Sequence, residues 1–105
     1  MGTRRPLRIH WSNASVFQLE RINGYVEPEG ASAVNPYRRR ILNAVRTLGD
    51  MPFAGRTGRI EGTREAVVPR TPYIVIYQVA EDAVEILGIW HGAREWPESL
   101  DEWNY

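Results

Sequence analysis

Near the end of the chain, His91-Gly92-Ala93-Arg94-Glu95-Trp96 sets a histidine three residues before an arginine. An imidazole titrates near neutrality, so His91 has the right type to give or take a proton. Arg94 can hold a phosphate or stabilise the charge that builds on one during displacement. The plainer readings are a strand-end histidine bonded to backbone and an arginine paired with Glu95 or a neighbouring carboxylate. Arg64-Glu65 is a second charged pair. Consecutive residues of a regular strand point to opposite faces, so these two cannot both line one site. The plain expectation is a cross-strand salt bridge for one and solvent for the other. Tyr73 and Tyr77 share one face of an extended run, where they either stack bases or fill a core or subunit interface. Arg38-Arg39-Arg40 is a basic helical turn, which suits an anionic partner or a solvated face. No phosphate-cradling glycine loop, H-E-x-x-H or G-x-S-x-G is present. The absence of cysteine excludes disulfides, thiolate zinc sites and cysteine nucleophiles. With two histidines and no cysteine, neither a metal site nor a cofactor is expected.

These side chains need elements to place them. Leu7-Arg8-Ile9-His10-Trp11 alternates apolar and polar, as a short strand does. Ser12 or Asn13 can cap a helix from Ala14 to about Val26, whose apolar stripe is Val16, Leu19, Ile22 and Val26. Pro28 and Gly30 break it. A second stripe, Val34, Tyr37, Ile41, Val45 and Leu48, predicts another amphipathic helix, with Gly49 as its C-terminal stop. Pro36 suits the first turn of a helix starting at Asn35 and would kink one starting near Ala31. Two helices joined by a short turn pack most simply as an antiparallel hairpin. Residues 50–62 hold three glycines and a proline and read as a loop. Glu65–Val68, Tyr73–Val79 and Val84–Trp90 read as strands, with a turn at 80–83 between the last two. Those last two runs are apolar on both faces, so both faces should be at least partly covered. The order is β–α–α–β–β–β: an α+β fold, a helical hairpin on a mostly antiparallel sheet.

The length of 105 residues predicts a single domain over the whole chain. No apolar run approaches a membrane span, and Arg8 and His10 interrupt the first one. The cytoplasm is therefore the expected address, with no membrane partner. All thirteen basic residues are arginine, and the formal net charge is zero. Yet four acids, Glu95, Glu98, Asp101 and Glu102, follow the last base, so residues 1–94 carry thirteen arginines against nine acids, a net of +4. A basic body with an acidic, Trp- and Tyr-bearing tail suits an anionic partner for the body. The tail, residues 98–105 above all, is expected to dock its rings on itself or at an interface.

Three segments change the odds. Gly58-Arg59-Ile60-Glu61-Gly62-Thr63-Arg64-Glu65-Ala66-Val67-Val68, the run Tyr73 to Val79, and Val84 to Pro97 with its His-Gly-x-Arg ending resemble the second half of RelE/ParE-type toxins of bacterial type II toxin–antitoxin systems. The resemblance extends by order and length over nearly the whole chain. It implies a β–α–α–β–β–β toxin held inactive in a hetero-oligomer by a co-expressed antitoxin, which wraps an extended or helical segment around it. RelE-like members cut messenger RNA in the ribosome with several bases on the central strands; ParE-like members lack much of that set and poison DNA gyrase. Here the corresponding strand positions are Glu65, Val67 and Ile74, and only Arg94 matches a family arginine. Ile74 cannot stabilise charge on a scissile phosphate. The resemblance thus favours a non-catalytic, ParE-like gyrase inhibitor, with Arg64, Tyr73, Tyr77, Trp96, Arg38 and Arg39 available to the target or the antitoxin. The alternatives are a ribosome-dependent mRNA endonuclease using His91, Arg94 and Glu65, and an inert relative that only binds its antitoxin.

Overall fold

The computed structural model describes residues 5–23 and 36–93. Their elements are β1 (Arg8–Trp11), α1 (Asn13–Asn23), α2 (Pro36–Asp50), β2 (Arg56–Thr57), β3 (Arg64–Val67), β4 (Tyr73–Val79) and β5 (Ala83–His91). The strands form one sheet in the order β1-β5-β4-β3-β2. β1 runs parallel to β5, and every other pairing is antiparallel. This is the expected α+β architecture with one addition. The segment read as a loop contains β2, a two-residue strand of Arg56 and Thr57 paired to Glu65 and Arg64. Nothing in its composition, rich in glycine and arginine, has strand character; the pairing is imposed from β3.

Register assigns each strand residue to a face. Tyr73, Val75, Tyr77 and Val79 of β4 share a face with Ala66 of β3 and with Val84, Ile86, Ile89 and His91 of β5. The two helices cover this face, and Leu19, Ile41, Val45 and Leu48 pack into it. The other face carries Ile74 and Ile76 of β4, covered by Ile60, Leu87 and Trp90. Leu87 reaches that cluster through an irregularity: Ile76 opposes Gly88 while Tyr77 opposes Ile86, so β5 has one residue more than β4 there. Both faces of the central strands are thus enclosed, as their two-sided apolar pattern demands.

α1 begins where β1 ends. Ser12 donates its N–H to the Ile86 carbonyl at 3.0 Å and accepts the Ser15 N–H on its hydroxyl at 3.1 Å. One residue closes the strand pairing and caps the helix. The buried side of α1 differs from the expected stripe. Ala14, Ser15 and Leu19 are buried, whereas Val16 is 40% exposed and Phe17 48% exposed. Val26, and Val34 in the stripe of α2, lie outside the described residues. In α2 the remaining positions Ile41, Val45 and Leu48 are buried as expected.

Gly49 corrects a further expectation. α2 continues through it to Asp50, so Gly49 is no stop. Its carbonyl accepts the Leu7 N–H at 2.8 Å, and a Cβ there would lie 2.9 Å from the Leu7 carbonyl oxygen. Glycine is present because the backbone before β1 crosses the helix at that point. Gly49→Ala, which stabilises an ordinary helix by about 1 kcal/mol, is expected here to destabilise by roughly 1–2 kcal/mol through that backbone contact. Urea denaturation of the variant checks the sign.

Candidate functional site

His91 ends β5 on the helix-covered face, opposite Tyr73. Its ring meets Tyr73 edge-on at 5.7 Å, and Tyr73 meets Tyr37 of α2 at 5.8 Å. The Nδ1 atom accepts the Ala93 N–H at 3.1 Å. That bond requires an unprotonated Nδ1, leaving the proton of a neutral ring on Nε2. All three rings are half-buried. Arg40, three residues after Tyr37, donates to the Arg70 carbonyl at 3.1 Å. Arg70 sits in the tight turn between β3 and β4 with φ of 60°, a left-handed conformation that costs a side-chain-bearing residue about 1 kcal/mol or more. Arg38, half-buried, and Arg39, exposed, complete this end of α2. Arg94 and Trp96 lie outside the described residues.

Glu65 lies elsewhere. It pairs with Ile76, and Ile76 is three residues from Tyr73 on the same strand. Glu65 therefore projects from the face opposite His91, and a site joining the two is ruled out by register. Its carboxylate, 2% exposed, accepts from Arg56 (3.0 and 3.3 Å), from the Arg59 backbone N–H (2.8 Å) and from the Arg59 guanidinium (3.2 and 3.4 Å). Burial pushes its pKa up, but the Arg59 N–H and the two guanidiniums outweigh burial and hold the carboxyl below the ordinary range. This is the cross-strand ion pair expected of Arg64-Glu65, with Arg59 as a second cation and no vacancy for a substrate.

Tyr77 is also withdrawn from any partner. It is fully buried, donating its hydroxyl to the Pro52 carbonyl at 2.8 Å and accepting the Gly55 N–H at 2.9 Å. Burial raises its pKa, against the lowering by the Gly55 N–H and the Arg64 charge. Its neighbour Arg64 does not go to solvent. The guanidinium donates to the Gly55 and Phe53 carbonyls at 2.7 and 3.4 Å and lies 5.0 Å from the Phe53 ring centroid. Tyr77 and Arg64 together fasten the loop after α2. That loop presents Met51 and Phe53 at 57% and 61% exposure.

Two further roles escaped the sequence reading. β1 stops at Trp11, and among the described residues no strand pairs the outer edge of β5 beyond it. Ser12 bonds the Leu87 carbonyl through its hydroxyl, and Gln18 Oε1 accepts the Ile89 N–H at 2.7 Å. Side chains from α1 and the residue that caps it thus occupy an edge that a strand would otherwise pair. A glutamine on a helix gives no sign of this in sequence. Tyr37 was read as part of a core stripe; its place beside Tyr73 depends on the helix–sheet docking. Among the described residues, no three of His, Asp and Glu gather as metal ligands, and no helix is long and apolar enough to cross a membrane.

The family model described as the ParE toxin of the type II toxin–antitoxin system parDE matches residues 9–96. A protein of Sinorhizobium fredii named "Putative toxin Y4kP" is 39% identical over 93 residues, 89% of this chain and 96% of that protein. Among solved structures, a chromosomal ParDE system from P. aeruginosa aligns with a TM-score of 0.71 at 23% identity, covering 81% of this chain and 95% of that one. The RelBE2 toxin–antitoxin complex of Mycobacterium tuberculosis aligns at 0.62 and 19% identity, covering 90% of this chain and all of that one. At those identities the two structural likenesses speak for the fold.

Proposed function

Since the chain belongs to the ParE toxin family of type II toxin–antitoxin systems, we propose that it arrests growth in the cytoplasm by binding and inhibiting DNA gyrase, without catalysis of its own, and that a cognate antitoxin neutralises it. The observation that carries the reading is what the central strands lack. Phosphodiester cleavage needs cations held against the scissile phosphate. The face of β3 and β4 that would offer them carries Val67, Ile74 and Ile76, and its one ionised group, Glu65, is acidic and occupied by two arginines. His91 stands on the other face beside aromatic rings. A surface without an assembled acid–base pair supports a protein that works by occupancy.

The antitoxin reading has its own support in exposed apolar side chains. Val16 and Phe17 on α1, and Met51 and Phe53 beyond α2, are poorly placed in water and suited to a partner that folds on binding.

The test is purified protein titrated into a gyrase supercoiling reaction, with and without the co-expressed antitoxin. Loss of supercoiling that the antitoxin restores is the expected result; unchanged supercoiling at large excess sinks the gyrase reading. Pulse-labelled cells give the parallel check. Thymidine incorporation should fall before methionine incorporation, and the reverse order would point to messenger RNA instead.

A further inference from the structure

The loop between α2 and β2, residues 51–55, is tethered at almost every residue. The Tyr77 hydroxyl donates to the Pro52 carbonyl at 2.8 Å and accepts the Gly55 N–H at 2.9 Å. Arg64 donates through Nη1 to the Gly55 carbonyl at 2.7 Å and to the Phe53 carbonyl at 3.4 Å. The Met51 N–H bonds the Thr47 carbonyl at 2.9 Å, and the Ala54 N–H bonds the Met51 carbonyl at 3.1 Å. A Cβ on Gly55 would lie 2.5 Å from the Tyr77 hydroxyl, so the loop also sits too close to β4 to shift freely. What these tethers hold out to water is apolar: Met51 is 57% exposed and Phe53 61% exposed. The Arg64 guanidinium lies 5.0 Å from the Phe53 ring centroid. Its Nε and Nη2 have no acceptor among the described residues. Phe, Met and Arg are the residue types that concentrate at the centre of protein interfaces.

We infer that Met51, Phe53 and Arg64 form the knob by which the toxin engages its target, a folded protein with an apolar pocket and a carboxylate at its rim. Phe53 and Met51 fill the pocket, and the carboxylate takes the free Nε and Nη2 donors of Arg64, a two-pronged match to a guanidinium fork. Rigidity is what selects a folded partner. A loop already fixed in its bound shape loses little freedom on docking, and a pre-formed knob fits a pocket that does not rearrange. A partner that folds on binding moulds itself to the toxin and needs no such fixed shape. The other exposed apolar pair, Val16 and Phe17, stands apart on α1, which lies along β5 through the Gln18 bond to Ile89. The knob is tied instead to β3 and β4, through Arg64 and Tyr77. An antitoxin that covers Met51 and Phe53 then blocks the target directly. The inference rests on the proposed action by occupancy, but not on the target being gyrase.

The test uses the full chain expressed without antitoxin, and the purified protein in a supercoiling reaction. Removing a buried aromatic anchor from an interface weakens binding by about 30-fold or more. Phe53→Ala should therefore raise the half-inhibitory concentration on that scale and abolish growth arrest at an induction level where the wild type stops growth. Its urea midpoint should be unchanged, because the lost ring was in water. Should Phe53→Ala unfold, Met51→Ala, at a side chain that makes no tether, gives the same reading. Arg64→Gln should also lower toxicity, since it removes both the tethers and the free donors. Val67→Thr changes a side chain as exposed, at 56%, on the other face of the sheet, and should arrest growth as the wild type does. If the wild type arrests growth yet leaves supercoiling unchanged, the gyrase reading falls and the growth assay alone decides the knob. Folded Phe53→Ala and Met51→Ala chains that still arrest growth would overturn the proposal, most plainly if they had lost only antitoxin affinity. An equal loss in Val67→Thr, or a harmless wild type, would overturn it as well.

Discussion

Glu65→Gln should lower the free energy of unfolding by about 2 kcal/mol at neutral pH, with the loss shrinking as the solution is acidified. The carboxylate is enclosed and accepts five N–H bonds from two guanidiniums and one backbone amide. Bonds to a charged group contribute about 1.5–3 kcal/mol each when well shielded. Both arginines are about half exposed, so water takes up much of what a neutral side chain releases, and the lower end applies. Glutamine keeps one acceptor oxygen and turns an N–H₂ toward a guanidinium. The sign with pH follows from the lowered pKa. A depressed carboxyl stabilises the fold above its unfolded value of roughly 4.3 and loses that contribution as pH falls through the folded value. The wild type should therefore approach the variant below about pH 4. Urea midpoints at pH 7 and near pH 3.5 measure this, and a difference that stays constant with pH would remove the ion-pair explanation. Growth arrest by the folded variant should persist, because the Glu65 carboxylate is enclosed and held by Arg56 and Arg59, out of reach of a target. Loss of toxicity in a folded Glu65→Gln protein would restore Glu65 to a functional site.

The same residue shows where sequence reading works and where it stops. Alternation alone separates Arg64 from Glu65, and the sheet keeps them on opposite faces. What alternation cannot give is the partner. Arg56 meets Glu65 through a two-residue strand with no strand signal, and Arg59 reaches it from the loop that follows. The long apolar runs were legible because burial on both faces writes itself into every position: β4 and β5 lie within a residue of the expected limits. Helix faces were legible where the stripe was complete, as in Ile41, Val45 and Leu48, and misleading at Val16, which the docking angle of α1 turns outward. Gly49 was read by its commonest role, whereas its cause is the backbone of Leu7, forty-two residues away in sequence and adjacent in space. Of the candidate site, the ring contact of His91 with Tyr73 depends on β4–β5 register, and that of Tyr73 with Tyr37 on helix docking. Neither is encoded in spacing.

Buried Tyr77 gives the second large effect. Tyr77→Phe keeps the ring in the core and removes one oxygen, so any loss of stability reports on the loop that this oxygen holds. The hydroxyl serves two groups: the Gly55 N–H, on a buried residue, and the Pro52 carbonyl, on a half-buried one. A buried polar group left without a partner costs about 1–3 kcal/mol. Gly55 bears that cost, while the Pro52 carbonyl is near enough to the surface to find water. The expected loss is about 2 kcal/mol, or roughly 10 °C in melting temperature for a domain of this size. The raised pKa adds a second signature. A folded-state pKa above the unfolded value of roughly 10 means that the neutral hydroxyl stabilises the fold below that pH, and that this contribution fades as pH rises through the folded value. The alkaline decline in stability should accordingly be shallower in the phenylalanine variant. Arg64 still holds the Gly55 and Phe53 carbonyls after the substitution, so the loop should loosen at Pro52 and Gly55 first. Hydrogen exchange at the Gly55 amide should accelerate more than exchange in β4 and β5. If the Gly55 amide instead exchanged in step with the central strands, the hydroxyl would be stabilising the core as a whole, and the loop carrying Met51 and Phe53 would owe its shape to Arg64 alone.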